Sequence, residues 1–165
     1  MTAYLVILGH RDAIRWVLSE ERMAFPATPR AEVRALAPGD RLYLYATRGA
    51  WLNPTRDRGR IIAVASAATA VRVLDEPVEI AGRTFMSGCD LKLDDVVPYP
   101  GGLELQPLVS QMEAFPKPEV WSIYLRRALL RLSERDARLL DQQLVSLLAS
   151  AARAVPSYAQ TVRSH

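Results

Sequence analysis

Cysteine occurs once in the 165-residue chain, at Cys89. An internal disulfide is thereby excluded, as is a cysteine-rich zinc site. Histidine is confined to His10 and His165, too few for a histidine-built metal centre. Lysine stands only at Lys92 and Lys117, so arginine carries the positive charge. The longest run dominated by apolar residues, Ile61 to Ala68, has a strand's length and falls far short of a bilayer span. Met1 to Tyr4 leads straight into a strand pattern, without the basic and apolar regions of a signal peptide, and a cytoplasmic protein with no membrane segment is expected. A phosphate-binding glycine loop, a Gly-x-Ser-x-Gly elbow and a dinucleotide fingerprint are also missing. No catalytic residue, metal or cofactor is expected.

What is present fits one domain, with half the residues apolar and a net charge of +3. That charge permits nucleic-acid contact without demanding it. Its placement is uneven: Arg48, Arg56, Arg58 and Arg60 crowd one loop against Asp57 alone, and Arg126, Arg127 and Arg131 form a second group. The most informative stretch is Pro38 to Gly49. A Pro-Gly-Asp turn launches a strand with Leu42 and Leu44 on one face and Tyr43 and Tyr45 on the other. The strand ends in Thr47-Arg48-Gly49, followed by Trp51 and Asn53. Aromatics, a hydroxyl, an amide and a guanidinium at a strand tip suit a flat polar ligand, as in the reading of a nucleobase.

Along the chain, residues 4–8 predict a buried strand and 11–22 a helix with Ile14, Val17 and Leu18 inward. Residues 23–29 read as loop, with Pro29 at the start of a short helix over 30–36. Residues 60–73 predict one long strand or a bent pair, 77–85 a hairpin turning at Ala81-Gly82, and 89–97 another strand. A brief extended piece at 103–105 precedes a helix over 108–114. The spacing of Trp121, Leu125, Leu129 and Leu132 predicts a helix over 119–132. Ser133 and Asp136 resemble the start of a capping box for a last helix fading near Pro156. The pattern predicts one α+β domain over 1–155, with a mostly antiparallel sheet or barrel, helices over 119–153 packed on it, and a frayed tail over 156–165.

Taken in order, these pieces resemble the EVE domain of the PUA-like group of small barrels, which also holds YTH and ASCH domains. The resemblance spans about residues 3–97. It rests on the short first strand, on the phrase from Arg34 to Thr47, which resembles the family's helix, Gly-Asp and apolar strand, and on Gly59 to Ser66 as the next strand. It implies a PUA-like mixed, mostly antiparallel β-barrel flanked by helices, with a C-terminal helical pair. It also implies a non-enzymatic module that binds DNA or RNA, recognising a modified or flipped base in an aromatic-lined pocket. Carried over by position, His10, Tyr45 and Thr47 would line that pocket, Trp51 and Asn53 would close one side, and Arg48, Arg56 and Arg58 would meet phosphates. The chain has Ala3-Tyr4-Leu5 and Met23 to Pro26 where EVE domains carry tryptophan-containing elements, which implies a pocket of different shape or ligand.

Two other readings stand beside this one. A small ASCH-like enzyme acting on a modified nucleoside would need a lysine converging with a threonine and a glutamate, and neither lysine lies near the Thr47 strand. A protein-interaction role would use the leucine-rich helix over 133–152, which packing on its own sheet explains equally.

Overall fold

A computed structural model describes residues 1–26 and 30–159. Among these residues nine strands form one curled sheet, a half-barrel in the order β2-β6-β4-β3-β1-β8, with β5 and β9 on β6 and β7 on β4. The strands are β1 (Ala3–Leu8), β2 (Arg22–Phe25), β3 (Arg41–Ala46), β4 (Arg60–Ala67), β5 (Arg72–Ile80), β6 (Arg83–Val96), β7 (Leu103–Glu104), β8 (Leu129–Leu132) and β9 (Ala149–Ser150). The helices are α1 (Arg11–Glu20), α2 (Ala31–Arg34), α3 (Glu134–Leu144) and α4 (Ala151–Ala159), and 3-10 turns cover Gln106–Gln111 and Pro118–Leu125. β1 and β3 pair in parallel, and the other pairings are antiparallel.

β3 divides the molecule because both of its faces are buried. Leu42 and Leu44 join Val6, Leu8, Ile14, Val17 and Phe25 in one core. Tyr43 and Tyr45 join Leu5, Phe115, Leu140 and Leu144 in a second core, across the sheet. The turn that launches β3 is held by Asp40, whose two carboxylate oxygens accept from the backbone N–H of Thr2 and of Ala37, each at 2.9 Å. Gly39 precedes it at φ +90°, a left-handed conformation that glycine adopts without strain.

The second arm of the expected hairpin and the strand expected over 89–97 are one strand, β6, the helix expected over 108–114 is a 3-10 turn over Gln106–Gln111, and four further elements differ. Arg22, expected as the end of a helix, and residues 23–25, expected as loop, form β2, which pairs with Ser87–Asp90 of the long strand β6. The end of the helix expected over 119–132 is instead strand β8, paired with Ala3–Val6. Leu129 enters the first core while Leu130 and Leu132 enter the second, an alternation that belongs to a strand. The last helix stops at Leu144, and after a turn β9 begins at Ala149 and α4 at Ala151. Fraying after Pro156 is not found as far as Ala159, because α4 continues to that residue and buries Tyr158. The two C-terminal helices, α3 and α4, thus differ from the pair expected over 119–153, whose first member is a 3-10 turn followed by β8. Pro29 and residues 160–165, His165 among them, lie outside the described residues.

Candidate functional site

Two cavities stand out among the described residues, and the end of β1 opens onto the larger. His10 caps α1, its Nδ1 accepting from the Asp12 backbone N–H at 3.0 Å, so the neutral ring carries its proton on Nε2. The cavity beside it, about 700 Å³, is walled by Trp16 of α1 and Phe85 of β6, with Met23 and Ala24 of β2 below. The β5–β6 turn at Ala81 and Gly82, both at positive φ, brings Phe85 and Arg83 to it. Arg30, Arg83, Arg126 and Arg127 line it against Glu32, the one carboxylate on its wall. Arg127 Nη1 donates to Glu32 Oε1 at 3.1 Å, and the buried Arg127 Nε has no hydrogen-bond partner among the described residues. Guanidinium groups also lie over the aromatic walls, Arg22 at 5.3 Å from the Trp16 ring centre and Arg83 at 5.6 Å from that of Phe85.

The smaller cavity, about 350 Å³, lies where the loop after β3 meets the turn after β6 and α4. Trp51, Tyr99 and Tyr158 pack on one another there: Trp51 meets Tyr99 edge to face at 5.0 Å and lies 28° from coplanar with Tyr158 at 6.0 Å. Tyr158 is fixed from behind, its hydroxyl donating to the Val97 carbonyl. Arg56, Arg58 and Arg60 complete the lining with Asp57, whose Oδ1 accepts from Arg56 Nε at 2.9 Å. The adjoining residues form turns, and backbone bonds of Arg56 and Asp57 to the Asn53 carbonyl hold the loop in shape.

The structure thus distributes the residues singled out from sequence. His10 belongs to the larger cavity, and Trp51, Arg56 and Arg58 belong to the smaller one. Asn53 shapes its own loop, its Oδ1 accepting from Thr55 Oγ1 at 3.1 Å. Arg48 is exposed and donates to the Pro54 carbonyl. Thr47 is half-buried and ties its strand to β1 through the Leu8 carbonyl. Tyr45 is 2 % exposed in the second core, on the face of β3 away from both cavities, and burial raises its pKa to about 12. Cys89 is buried, and desolvation pushes its thiol to about 11, which makes it an inert packing residue at neutral pH. Among the described residues no group of three or more His, Cys, Asp or Glu could hold a metal ion. No described helix is long and apolar enough to cross a membrane.

Sequence reasoning missed Trp16, Phe85, Tyr99 and Tyr158 as cavity residues, and it grouped Arg126 and Arg127 by charge without placing them at a site. Trp16 carried a usable signal, since it lies off the Ile14, Val17 and Leu18 stripe of α1. Phe85 and Tyr158 carried none, because strand and helix pairings distant in sequence place them.

The sequence matches no protein-family model and no curated protein at a significant level. Solved structures do match, and they define the class: the chain has the PUA-like α+β fold. A Pseudomonas putida protein superposes with a TM-score of 0.56 at 14 % identity, covering 86 % of this chain and 98 % of that one. Human THYN1, in complex with 5-methylcytosine-containing DNA, superposes with a TM-score of 0.53 at 9 % identity, covering 85 % of this chain and 95 % of its own. The YTH domain of Zygosaccharomyces rouxii MRB1, in complex with N6-methyladenosine RNA, gives a TM-score of 0.53 at 10 % identity, covering 85 % of each chain. At such identities the likeness is one of fold, and the fold is the one that the resemblance to EVE domains implied.

Proposed function

We propose that this protein is a non-enzymatic nucleic-acid-binding module that holds one flipped or modified base in the larger cavity. The observation that carries the reading is the combination, in about 700 Å³, of two aromatic walls and an arginine rim bearing a single carboxylate. The volume lies in the usual range for sites that enclose a small ligand, and an arginine rim suits the phosphates flanking a base. Two proteins with this fold are bound to nucleic acid carrying a methylated base. Trp16 and Phe85 would stack on the base, His10 Nε2–H would donate to an acceptor on its edge, and Arg30, Arg83 and Arg126 would meet phosphates. In the same reading Arg48, Arg56 and Arg58 extend the basic path along the strand. Thr47 and Asn53 would support the loop between the two cavities, and Tyr45 would support β3 from inside.

The test is binding of labelled single- and double-stranded oligonucleotides, plain and with methylated or hydroxymethylated bases, to the wild type and to Trp16→Ala. One modification should be preferred, and Trp16→Ala should cut its affinity about 5- to 150-fold, matching stacking contributions of about 1–3 kcal/mol per base. Absence of binding to every oligonucleotide would overturn the reading, as would full affinity in a Trp16→Ala protein that still melts cooperatively.

A further inference from the structure

The smaller cavity holds a combination of groups that the base pocket does not use. Asp57 is the one carboxylate on its lining, and its side chain is 15 % exposed. One oxygen of that carboxylate is engaged by Arg56, while Oδ2 is buried without a hydrogen-bond partner among the described residues. A buried acceptor left without a donor is costly, so a ligand that brings an N–H to it gains that interaction. Trp51 and Tyr99, both half-buried, add ring surface to the wall. Arg56, Arg58 and Arg60 outnumber the carboxylate, so the lining is positive as a whole. A ligand that answers all of these is flat, carries N–H donors on one edge and bears negative charge.

We propose that this cavity is a second nucleotide subsite, selective for guanine. Guanine presents N1–H and N2–H side by side, two donors that a carboxylate accepts together. Adenine and cytosine place a ring acceptor beside their amino group, which Asp57 repels, and uracil flanks its single N–H with carbonyls. The phosphate meets Arg58 and Arg60. This subsite does not depend on the base pocket beside His10, and the same chemistry is offered by a free guanine nucleotide or by a guanine within a strand.

Titration of the ¹⁵N-labelled protein separates these possibilities. The probes are GMP, AMP, UMP and inorganic phosphate, and oligouridylate 8-mers with and without one guanine. GMP or the guanine 8-mer should shift the Trp51 indole and Gly101 amide signals saturably, at least tenfold tighter than AMP or the plain 8-mer. Tighter binding of the guanine 8-mer than of GMP identifies a strand as the source, and equal or tighter binding of GMP identifies the free nucleotide. Asp57→Asn keeps an acceptor for Arg56 but turns an NH₂ toward the base, and should abolish the guanine preference. Arg58→Ala, at an exposed position, should weaken GMP at least fivefold and leave guanosine unchanged. The proposal is overturned by no saturable shift with either guanine probe, by equal binding of GMP and AMP, or by a preference that survives Asp57→Asn. If Asp57→Asn fails to fold, equal loss of GMP and guanosine in Arg58→Ala overturns it instead.

Discussion

Tyr45 shows how a single side chain changes meaning between sequence and structure. At the end of β3 it has the position of a residue that meets a ligand, yet the alternation of the strand carries it into the second core. Gly59 faces it, and a Cβ at that position would collide with the Tyr45 hydroxyl and ring, so the glycine is part of the socket. Burial favours the neutral phenol and raises its pKa to about 12; the same cause raises Cys89 to about 11. Both groups are neutral when protonated, so the folded state keeps its protons to higher pH than the unfolded chain. Their contribution to stability is complete below about pH 9 and is lost as pH rises toward 12. Tyr45 alone, shifted by about two units from 10, accounts for about 3 kcal/mol of that loss. Tyr45→Phe should therefore flatten the decline of the urea midpoint between pH 9 and pH 12, while leaving stability at pH 7 within about 1 kcal/mol. An equally steep decline in the variant would place the Tyr45 hydroxyl in contact with water.

At the scale of elements, what the sequence disclosed is what local chemistry determines. Ser133 caps α3 by accepting from the Asp136 N–H, as its spacing suggested, and Pro-Gly-Asp launches β3. The fully buried Asp136 has a second task that spacing could not show: its carboxylate accepts from the Glu113 and Ala114 N–H groups, joining the turn after the Gln106–Gln111 segment to α3. β8 was hidden because Leu129 and Leu132, three residues apart, fit one face of a helix, and the edge of β1 that selects the strand lies more than a hundred residues earlier. α4 was hidden by Pro156, which ordinarily ends a helix. Here tertiary contacts carry the helix past it: Ser157 Oγ accepts from the Tyr99 N–H at 2.9 Å, and Arg15 Nε donates to the Tyr158 carbonyl at 3.3 Å. Of the residues singled out from sequence, Trp51, Arg56 and Arg58 come together because one loop carries them, and His10 reaches the larger cavity from the end of β1. Tyr158→Ala should destabilise the fold by about 3–5 kcal/mol, as large-to-small changes of buried aromatics do. It should also shift tryptophan emission to the red as Trp51 loses its stacking partner. Thermal melting and fluorescence check both; unchanged emission would show that α4 does not shelter Trp51.

At the scale of the whole molecule, the two cavities belong to one side of the divided core. Leu8, Val33 and Leu129 of the first core line the larger cavity, and Ala46, Ile62 and Tyr158 of the same core line the smaller. The backbone links the two openings directly, since the Arg11 N–H at the start of α1 donates to the Ala50 carbonyl at 2.8 Å, beside Trp51. Arginines flank both openings, so a single strand laid across this side would meet positive charge along its course. The second core is packed on α3, whose exposed Arg135 and Arg138 line neither cavity. These arrangements make charge placement testable apart from total charge. Arg56→Ala with Arg58→Ala removes two positive charges from the proposed path, and Arg135→Ala with Arg138→Ala removes two from the other side. The first pair should weaken single-stranded binding to plain and modified oligonucleotides alike. It should also reduce the slope of log affinity against log salt by about 1.4, about 0.7 for each phosphate no longer neutralised. The second pair should leave that slope unchanged. Equal slopes in both double variants would mean that the protein attracts nucleic acid through its net charge alone, and the strand would have no defined course between the cavities.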